Sequence, residues 1–173
     1  MVVILMGVTA CGKTTVGIAL AQREHWSFVD ADDFHSQANK EKMHAGIPLT
    51  DEDRAPWLAA LHTQMATWIS SEANVALACS ALKQEYRDTM LAGLPHESVR
   101  FVFLDGPLAV IQERLAHRTG HFMSPTLLSS QLATLEIPAN ALRVSIDQTV
   151  PAIVQDIVTG LCLVPDTAAD ATH

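Results

Sequence analysis

An α/β fold built on a parallel sheet is what this sequence predicts, and three observations predict it. Short apolar, β-branched runs recur along the chain, and stretches long enough for a crossover helix separate them. The runs are apolar at nearly every position, which is the pattern of strands buried on both faces. With 49% hydrophobic and 17% charged residues among 173, the chain can bury a full core.

The first strand is predicted at residues 2–6. It runs straight into Gly7-Val8-Thr9-Ala10-Cys11-Gly12-Lys13-Thr14, which matches GxxxxGK[ST]. A helical run at 15–22 follows, so the motif sits in the strand-loop-helix context that makes it specific. Gly7 and Gly12 let backbone wrap closely around phosphate oxygens, and successive N–H groups at a helix N-terminus face the negative charge. The cradle predicted for ATP is Gly7, Val8, Thr9, Ala10, Cys11, Gly12, Lys13 and Thr14, with Thr15 at its helical end. Lys13 is expected to reach the β- and γ-phosphates and act in catalysis, and the Thr14 hydroxyl to be the direct protein ligand of Mg²⁺. Cys11, at a helix N-terminus inside this loop, is expected to be an alkylatable thiolate that nucleotide protects.

A second strand at 26–29 leads to Asp30-Ala31-Asp32. If it continues through them, period-two geometry puts both carboxylates on one side, at the sheet edge where parallel α/β folds bind ligands. Trp57, Leu58, Leu61, Met65, Trp68 and Ile69 then make one helical apolar stripe, with Thr50 and Asp53 as a capping pair before it. Strands at 75–79 and 99–104 follow. Arg114 and Arg118 stand four apart at the end of a helix that precedes Thr119-Gly120-His121-Phe122. A last strand at 142–146 is followed by a helix with Pro151 at its first position, Ile153, Val154, Ile157, Val158 and Leu161 toward the core, and Gly160 near its exit. Residues 1–164 are expected to form one domain and 165–173 a disordered tail.

The formal charge of −8 argues against a nucleic-acid or anionic-membrane surface, which needs clustered positive charge. The apolar run at 2–6 is far too short to span a bilayer, and the start lacks the features of a signal peptide. Cys11, Cys79 and Cys162 form neither a disulfide framework nor a CxxC pattern. No nucleic acid, no membrane and a cytoplasmic location are therefore expected.

A longer pattern runs through the middle of the chain. Asp30-Ala31-Asp32, His35, Asn39, Lys42-Met43, Gly46, Pro48-Leu49, Asp51, Asp53-Arg54 and Pro56-Trp57-Leu58 resemble the gluconokinase signature DxDxxHxxxNxxKMxxGxPLxDxDRxPWL. The match continues through Cys79-Ser80-Ala81-Leu82-Lys83, Tyr86-Arg87, Arg114-Leu115, Arg118, Gly120-His121-Phe122, Gln131, Thr134-Leu135-Glu136 and Pro138, as far as about Asp147.

The resemblance implies a shikimate-kinase-like member of the nucleoside-monophosphate-kinase fold, with strand order 2-3-1-4-5, that phosphorylates gluconate at its 6-hydroxyl using ATP and Mg²⁺. It also implies a homodimer. By similarity Asp30 lies nearer the metal and Asp32 nearer the reacting hydroxyl as its proton acceptor or orienter, although the pattern also permits the reverse. Arg54, Lys83 and Arg87 are candidates for the substrate carboxylate, and His35 for a hydroxyl. Arg114 and Arg118 are expected on the phosphates, Arg118 catalytically from a lid near 118–135 hinged at Gly120. Ala10 and Cys11 stand where the family usually has Gly and then Ser, so a positive φ at residue 10 would strain the loop.

Two rivals are weaker. A shikimate or nucleotide kinase would need a different stretch after the third strand and lacks the Asp53-Arg54-Ala55-Pro56-Trp57 signature. A non-catalytic NTP switch would have no use for the paired aspartates and the downstream arginines, and the chain carries neither a DxxG nor an NKxD motif.

Overall fold

The computed structural model describes residues 1–117 and 125–163. Arg118, Gly120 and His121 of the expected lid, and the tail at 165–173, lie outside them.

Strand β1 (Val2–Met6) pairs in parallel with β3 (Val75–Ala78) on one side and β4 (Val99–Asp105) on the other. β2 (Ser27–Asp30) flanks β3 and β5 (Leu142–Ser145) flanks β4, giving the order β2-β3-β1-β4-β5 that the resemblance implied. All pairs are parallel, so every strand ends at the same edge. The phosphate loop, the Asp30 turn and the loop after β3 therefore emerge side by side.

The side-chain alternation of β1 divides the core in two. Val3 and Leu5 pack with Val16 and Leu20 of α1 (Lys13–Glu24) and with Ile153 and Ile157 of α7 (Val150–Gly160). Val2, Ile4 and Met6 pack on the opposite face with Leu58, Leu61 and Met65 of α3 (Asp51–Ser70) and Met90 of α4 (Gln84–Leu91). Fully burying one such aliphatic side chain contributes about 1.5–3 kcal/mol, which is why β1 is apolar throughout. Between β2 and α3 lies α2 (Gln37–His44), and between β4 and β5 lie α5 (Leu108–Ala116) and α6 (Pro125–Thr134).

The predicted capping pair is present: the Asp53 N–H donates to Thr50 Oγ1 at 3.2 Å and the Thr50 N–H donates to Asp53 Oδ2 at 3.0 Å. Strands β3, β4 and β5 end within one residue of expectation, and other details differ too. Trp26 is not in β2, because its N–H is used on the Ala21 carbonyl where α1 ends. Pro151 is the second residue of α7, not the first. And β2 stops at Asp30, where a 3₁₀ turn over Ala31–Phe34 begins. Asp30 Oδ1 accepts the Asp32 N–H at 3.1 Å, a side-chain bond that turns the chain and replaces the strand geometry expected for the pair.

Candidate active site

The phosphate loop takes the shape its glycines permit. Gly7 has φ 141° and Gly12, the residue just before α1, has φ 103°, both in the region that L side chains avoid. A Cβ on Gly7 would stand 2.9 Å from Cys11 Sγ and 3.0 Å from the Leu104 carbonyl oxygen. Ala10 also has positive φ, at 61°, so the condition for strain in this loop is met.

Lys13 folds back on its own loop, its ammonium donating to the carbonyls of Gly7 and Val8 at 3.0 Å each. The Thr14 hydroxyl donates to Asp30 Oδ2 at 3.2 Å. Thr15 is exposed at the start of α1. Cys11, by contrast, is fully buried and packs in the core beneath the loop. The expected accessible thiolate is thus corrected: its side chain fills space under the cradle instead of facing phosphate. Arg114 reaches the loop from α5, donating to the Ile146 carbonyl at 2.8 Å and the Cys11 carbonyl at 3.4 Å.

One cleft of about 920 Å³ joins this loop to the other predicted residues, with Lys13, Thr14, Asp30, Asp32, His35 and Arg54 all on its walls. Burial first, and then the neighbouring Asp30 carboxylate, push the Asp32 carboxyl above the ordinary aspartate value. Its surface still meets solvent, but the surrounding protein removes part of the water that would stabilise its charge. A carboxylate with a raised proton affinity is a better base than an ordinary one.

His35 is buried and stacks on Trp57, the rings 4.5 Å apart and 10° from parallel. Burial, and then the Arg54 charge, lower its pKa to about 4, so the ring is neutral at pH 7. Its Nδ1 has no hydrogen-bond partner among the described residues. The Trp57 indole N–H donates to the Ala31 carbonyl at 2.7 Å, fastening α3 to the aspartate turn.

The predicted cations separate into two roles. Arg54 lines the cleft, with its guanidinium 5.5 Å from the Tyr86 ring centroid and 2.5 Å from the Leu49 carbonyl that accepts from it. Lys83 lies 5.0 Å from the same ring and donates to both Asp51 oxygens at 3.1 Å. Tyr86 donates its hydroxyl hydrogen to Asp51, completing a small charged cluster at the cleft edge. Arg87 does not join it. Only 2% exposed, it donates to the Ala81 carbonyl at 2.7 Å, the Leu82 carbonyl at 3.2 Å and Gln84 Oε1 at 2.7 Å. Its donors hold the loop after β3, where Ala81 has φ 45°, so the carboxylate role expected for Arg87 is replaced by a structural one.

Tyr86, Trp57 and Gln131 are cleft residues that chemistry-first reading of the sequence did not single out. Trp57 was legible as part of the apolar stripe of its helix and of the longer pattern, neither of which marks it as a cleft residue. Tyr86 and Gln131 carried no signal beyond their match to the longer pattern, since a lone tyrosine or glutamine on a helix has no spacing to betray it. The motif residues Asn39, Lys42 and Asp53 stand apart from the chemistry: Lys42 donates to Asp53 at 2.7 Å and the Asn39 amide to the Asp53 carbonyl at 2.7 Å, tying α2 to the start of α3.

The chain is similar to proteins of known sequence and structure. A family model described as an AAA domain matches residues 2–137. A probable gluconokinase of Xenopus tropicalis is 44% identical over 91% of each chain. A gluconokinase of Gluconobacter oxydans (strain 621H) is 42% identical, covering 90% of this chain and 88% of its own. The crystal structure of a gluconokinase from Sinorhizobium meliloti 1021 superposes with a TM-score of 0.81 at 41% identity, covering 92% of this chain and 90% of that one.

Proposed function

The chain belongs to the gluconokinase family of P-loop kinases, and from that premise we propose that it transfers the γ-phosphoryl group of ATP to the 6-hydroxyl of gluconate. The observation that carries this reading is the single cleft in which the phosphate loop faces Asp32 and Arg54. A donor cradle, a proton acceptor and a carboxylate partner are the three parts that phosphorylation of a sugar acid needs.

The backbone N–H groups of the loop and the N-terminus of α1 receive the phosphates. Lys13 exchanges its two loop carbonyls for phosphate oxygens, which costs little because the ammonium stays bonded throughout. Arg114, held against the loop, adds positive charge on the nucleotide side. Arg54 takes the carboxylate of gluconate, with Lys83 and Tyr86 beside it, and neutral His35 meets a chain hydroxyl. Asp32 accepts the proton of the 6-hydroxyl as that oxygen bonds to the γ-phosphorus and the bond to ADP breaks.

Mg²⁺ fits the residues present. Thr14 and Asp30 supply a hydroxyl and a carboxylate, hard oxygen donors of the kind that ion prefers, and it needs few protein ligands because it keeps its waters. No group of three or more His, Cys, Asp or Glu suited to a metal occurs among the described residues. When bound, it neutralises charge on the phosphates.

Two broader expectations belong to the same reading. A homodimer is supported by the family resemblance alone. A cytoplasmic location is supported by the use of ATP and by cysteines that stand as free thiols. Among the described residues no helix is long and apolar enough to cross a membrane.

The test is a screen of gluconate, other aldonates, shikimate and nucleoside monophosphates for ADP release in a coupled assay. Gluconate is expected to give the highest kcat/KM. Equal ADP release with and without it would overturn the assignment.

A further inference from the structure

β3 lies between β1 and β2 in the sheet, and its last residue, Ala78, is in register with Leu5 on one side and Asp30 on the other. The Cys79 N–H donates to the Leu5 carbonyl at 3.1 Å, so the chain follows β1 for one residue more. Adjacent strands stand about 4.8 Å apart, which separates β1 from β2 by roughly 10 Å with the end of β3 between them. The Thr14–Asp30 bond therefore spans the gap into which residues 79 and 80 emerge.

Alternation along β3 sorts what emerges there. Leu77 and Cys79 belong to the core that packs on α3, whereas Ala76 belongs to the core that packs on α1. Ser80 continues the side of Ala76 and Ala78, which is the side of the phosphate loop, and with Ala78 it lines the cleft. Arg54 and Trp57, on α3, and His35, stacked on Trp57, belong to the other side.

The surroundings of Ser80 are charged. Burial chiefly pushes the thiol of Cys79, one residue before it, up to about 12, and the charges of Asp32, Lys13 and Asp30 all act on that thiol. Ser80 is half-buried, and among the described residues its hydroxyl has no hydrogen-bond partner. The loop beyond it is fixed: Ala81 has φ 45°, and the buried Arg87 guanidinium holds the carbonyls of Ala81 and Leu82. A hydroxyl carried on a fixed backbone and left without a protein partner is available to a ligand.

We propose that Ser80 is a catalytic residue whose hydroxyl donates a hydrogen bond to an oxygen of the transferring γ-phosphoryl group. This rests on the kinase reading given above. Ionised Asp30 and Asp32 accept hydrogen bonds only and repel the phosphoryl oxygens, so a neutral donor between them supplies a contact that neither carboxylate can. In the step, the gluconate 6-oxygen bonds to the γ-phosphorus, the bond from that phosphorus to the ADP oxygen breaks, and the 6-hydroxyl proton passes to Asp32. Ser80 keeps its own proton throughout. Charge spreads over the three equatorial oxygens in the transition state, where a fixed donor stabilises it, so the effect falls on kcat.

The experiment is steady-state kinetics of the full chain with gluconate and Mg-ATP, for wild type, Ser80→Ala and Ser80→Thr. Ser80→Ala is expected to lower kcat by about 10–100-fold, with both KM values within about threefold of wild type. Its Tm is expected to hold, because no protein partner is lost. ADP lacks the γ-phosphoryl group, and titration calorimetry is expected to give it equal affinity for wild type and Ser80→Ala. Ser80→Thr keeps the hydroxyl and is expected to recover most of the lost rate, which a role in packing alone would not predict.

A Ser80→Ala kcat within about twofold of wild type, or equal slowness in Ser80→Ala and Ser80→Thr, would overturn the proposal. So would a loss confined to the gluconate KM, which would place the hydroxyl on the sugar acid. Each of these results leaves the kinase assignment intact as long as wild-type protein releases ADP in response to gluconate. Absence of that release would overturn the assignment, and the proposal with it.

Discussion

Thr14 and Asp30, one ending the phosphate loop and the other ending β2, meet in a hydrogen bond of 3.2 Å. Two strands that are not neighbours in the sheet thus deliver a hydroxyl and a carboxylate to one point beside the phosphate cradle. Asp30→Asn keeps a side-chain acceptor for Thr14 and removes the charge. The Mg²⁺ concentration needed for half-maximal rate is expected to rise about 10–100-fold, with the fold intact. Initial rates against free Mg²⁺ at fixed ATP measure this, and an unchanged requirement would remove Asp30 from the metal site.

Asp32 binds its proton more tightly than an ordinary aspartate, so its base form is lost at a higher pH. The acid limb of the kcat/KM profile is expected above the ordinary aspartate range. Asp32→Asn should abolish that limb and lower the rate by about 10²–10⁴-fold. A raised folded-state pKa also means that the stability associated with the proton is present at low pH and lost as pH rises through that value. At pH 7 the ionised carboxylate therefore costs stability, and Asp32→Asn is expected to raise Tm while it lowers activity. A variant with lower Tm and normal rate would contradict both roles.

His35 shifts the other way. Its pKa is lowered from 6.5 to about 4, chiefly by burial, so the unfolded chain takes a proton first as the pH falls. The stability held above pH 6.5 is lost progressively toward about 4. His35→Phe keeps a ring to stack on Trp57 and removes the titration. Its Tm is expected to fall less steeply than that of wild type across this window, and parallel curves from differential scanning calorimetry would refute the shift.

Ala10 carries a φ of 61° inside the phosphate loop. A left-handed conformation costs a residue with a Cβ about 1–2 kcal/mol, part of which is offset because glycine gains freedom in the unfolded chain. Ala10→Gly is expected to raise Tm by about 2–4 °C with phosphoryl transfer retained. A fall in Tm would show that the surrounding contacts, not the backbone, set the energy of this loop.

The parts of the molecule legible in the sequence are those fixed by short-range chemistry. The continuous apolar run of β1, the glycine spacing of the phosphate loop and the Thr50–Asp53 cap each state their own geometry. The parts that were not legible depend on partners far along the chain. Asp30 could have continued a strand, but its carboxylate is better satisfied by the Asp32 N–H, and that choice re-aims Asp32. Arg87 reads as a surface or substrate cation until the carbonyls of Ala81 and Leu82 are brought over it. Cys11 is one residue from glycine in a ligand loop, yet its side chain points into the core because the loop turns it under. Spacing alone marks which residues gather at the cleft. It does not mark which of them face inward.

Arg54 stands in the cleft that also holds the phosphate loop, where the proposed function makes it the partner of a carboxylate. A site built around a polar partner rejects an analogue lacking it by about 10⁴-fold, whereas an exposed ion pair contributes roughly 0–1 kcal/mol and discriminates less than about tenfold. Arg54 is half-buried, with 29% of its side chain exposed, and falls between these limits. The direct measurement is kcat/KM for gluconate against sorbitol, which has a hydroxyl in place of the carboxylate, in wild-type protein and in Arg54→Ala. Sorbitol is expected to fall at least about a hundredfold below gluconate in wild type, and Arg54→Ala to lose most of that preference. Phosphorylation of sorbitol within about tenfold of gluconate, or a full preference surviving in Arg54→Ala, would contradict the account.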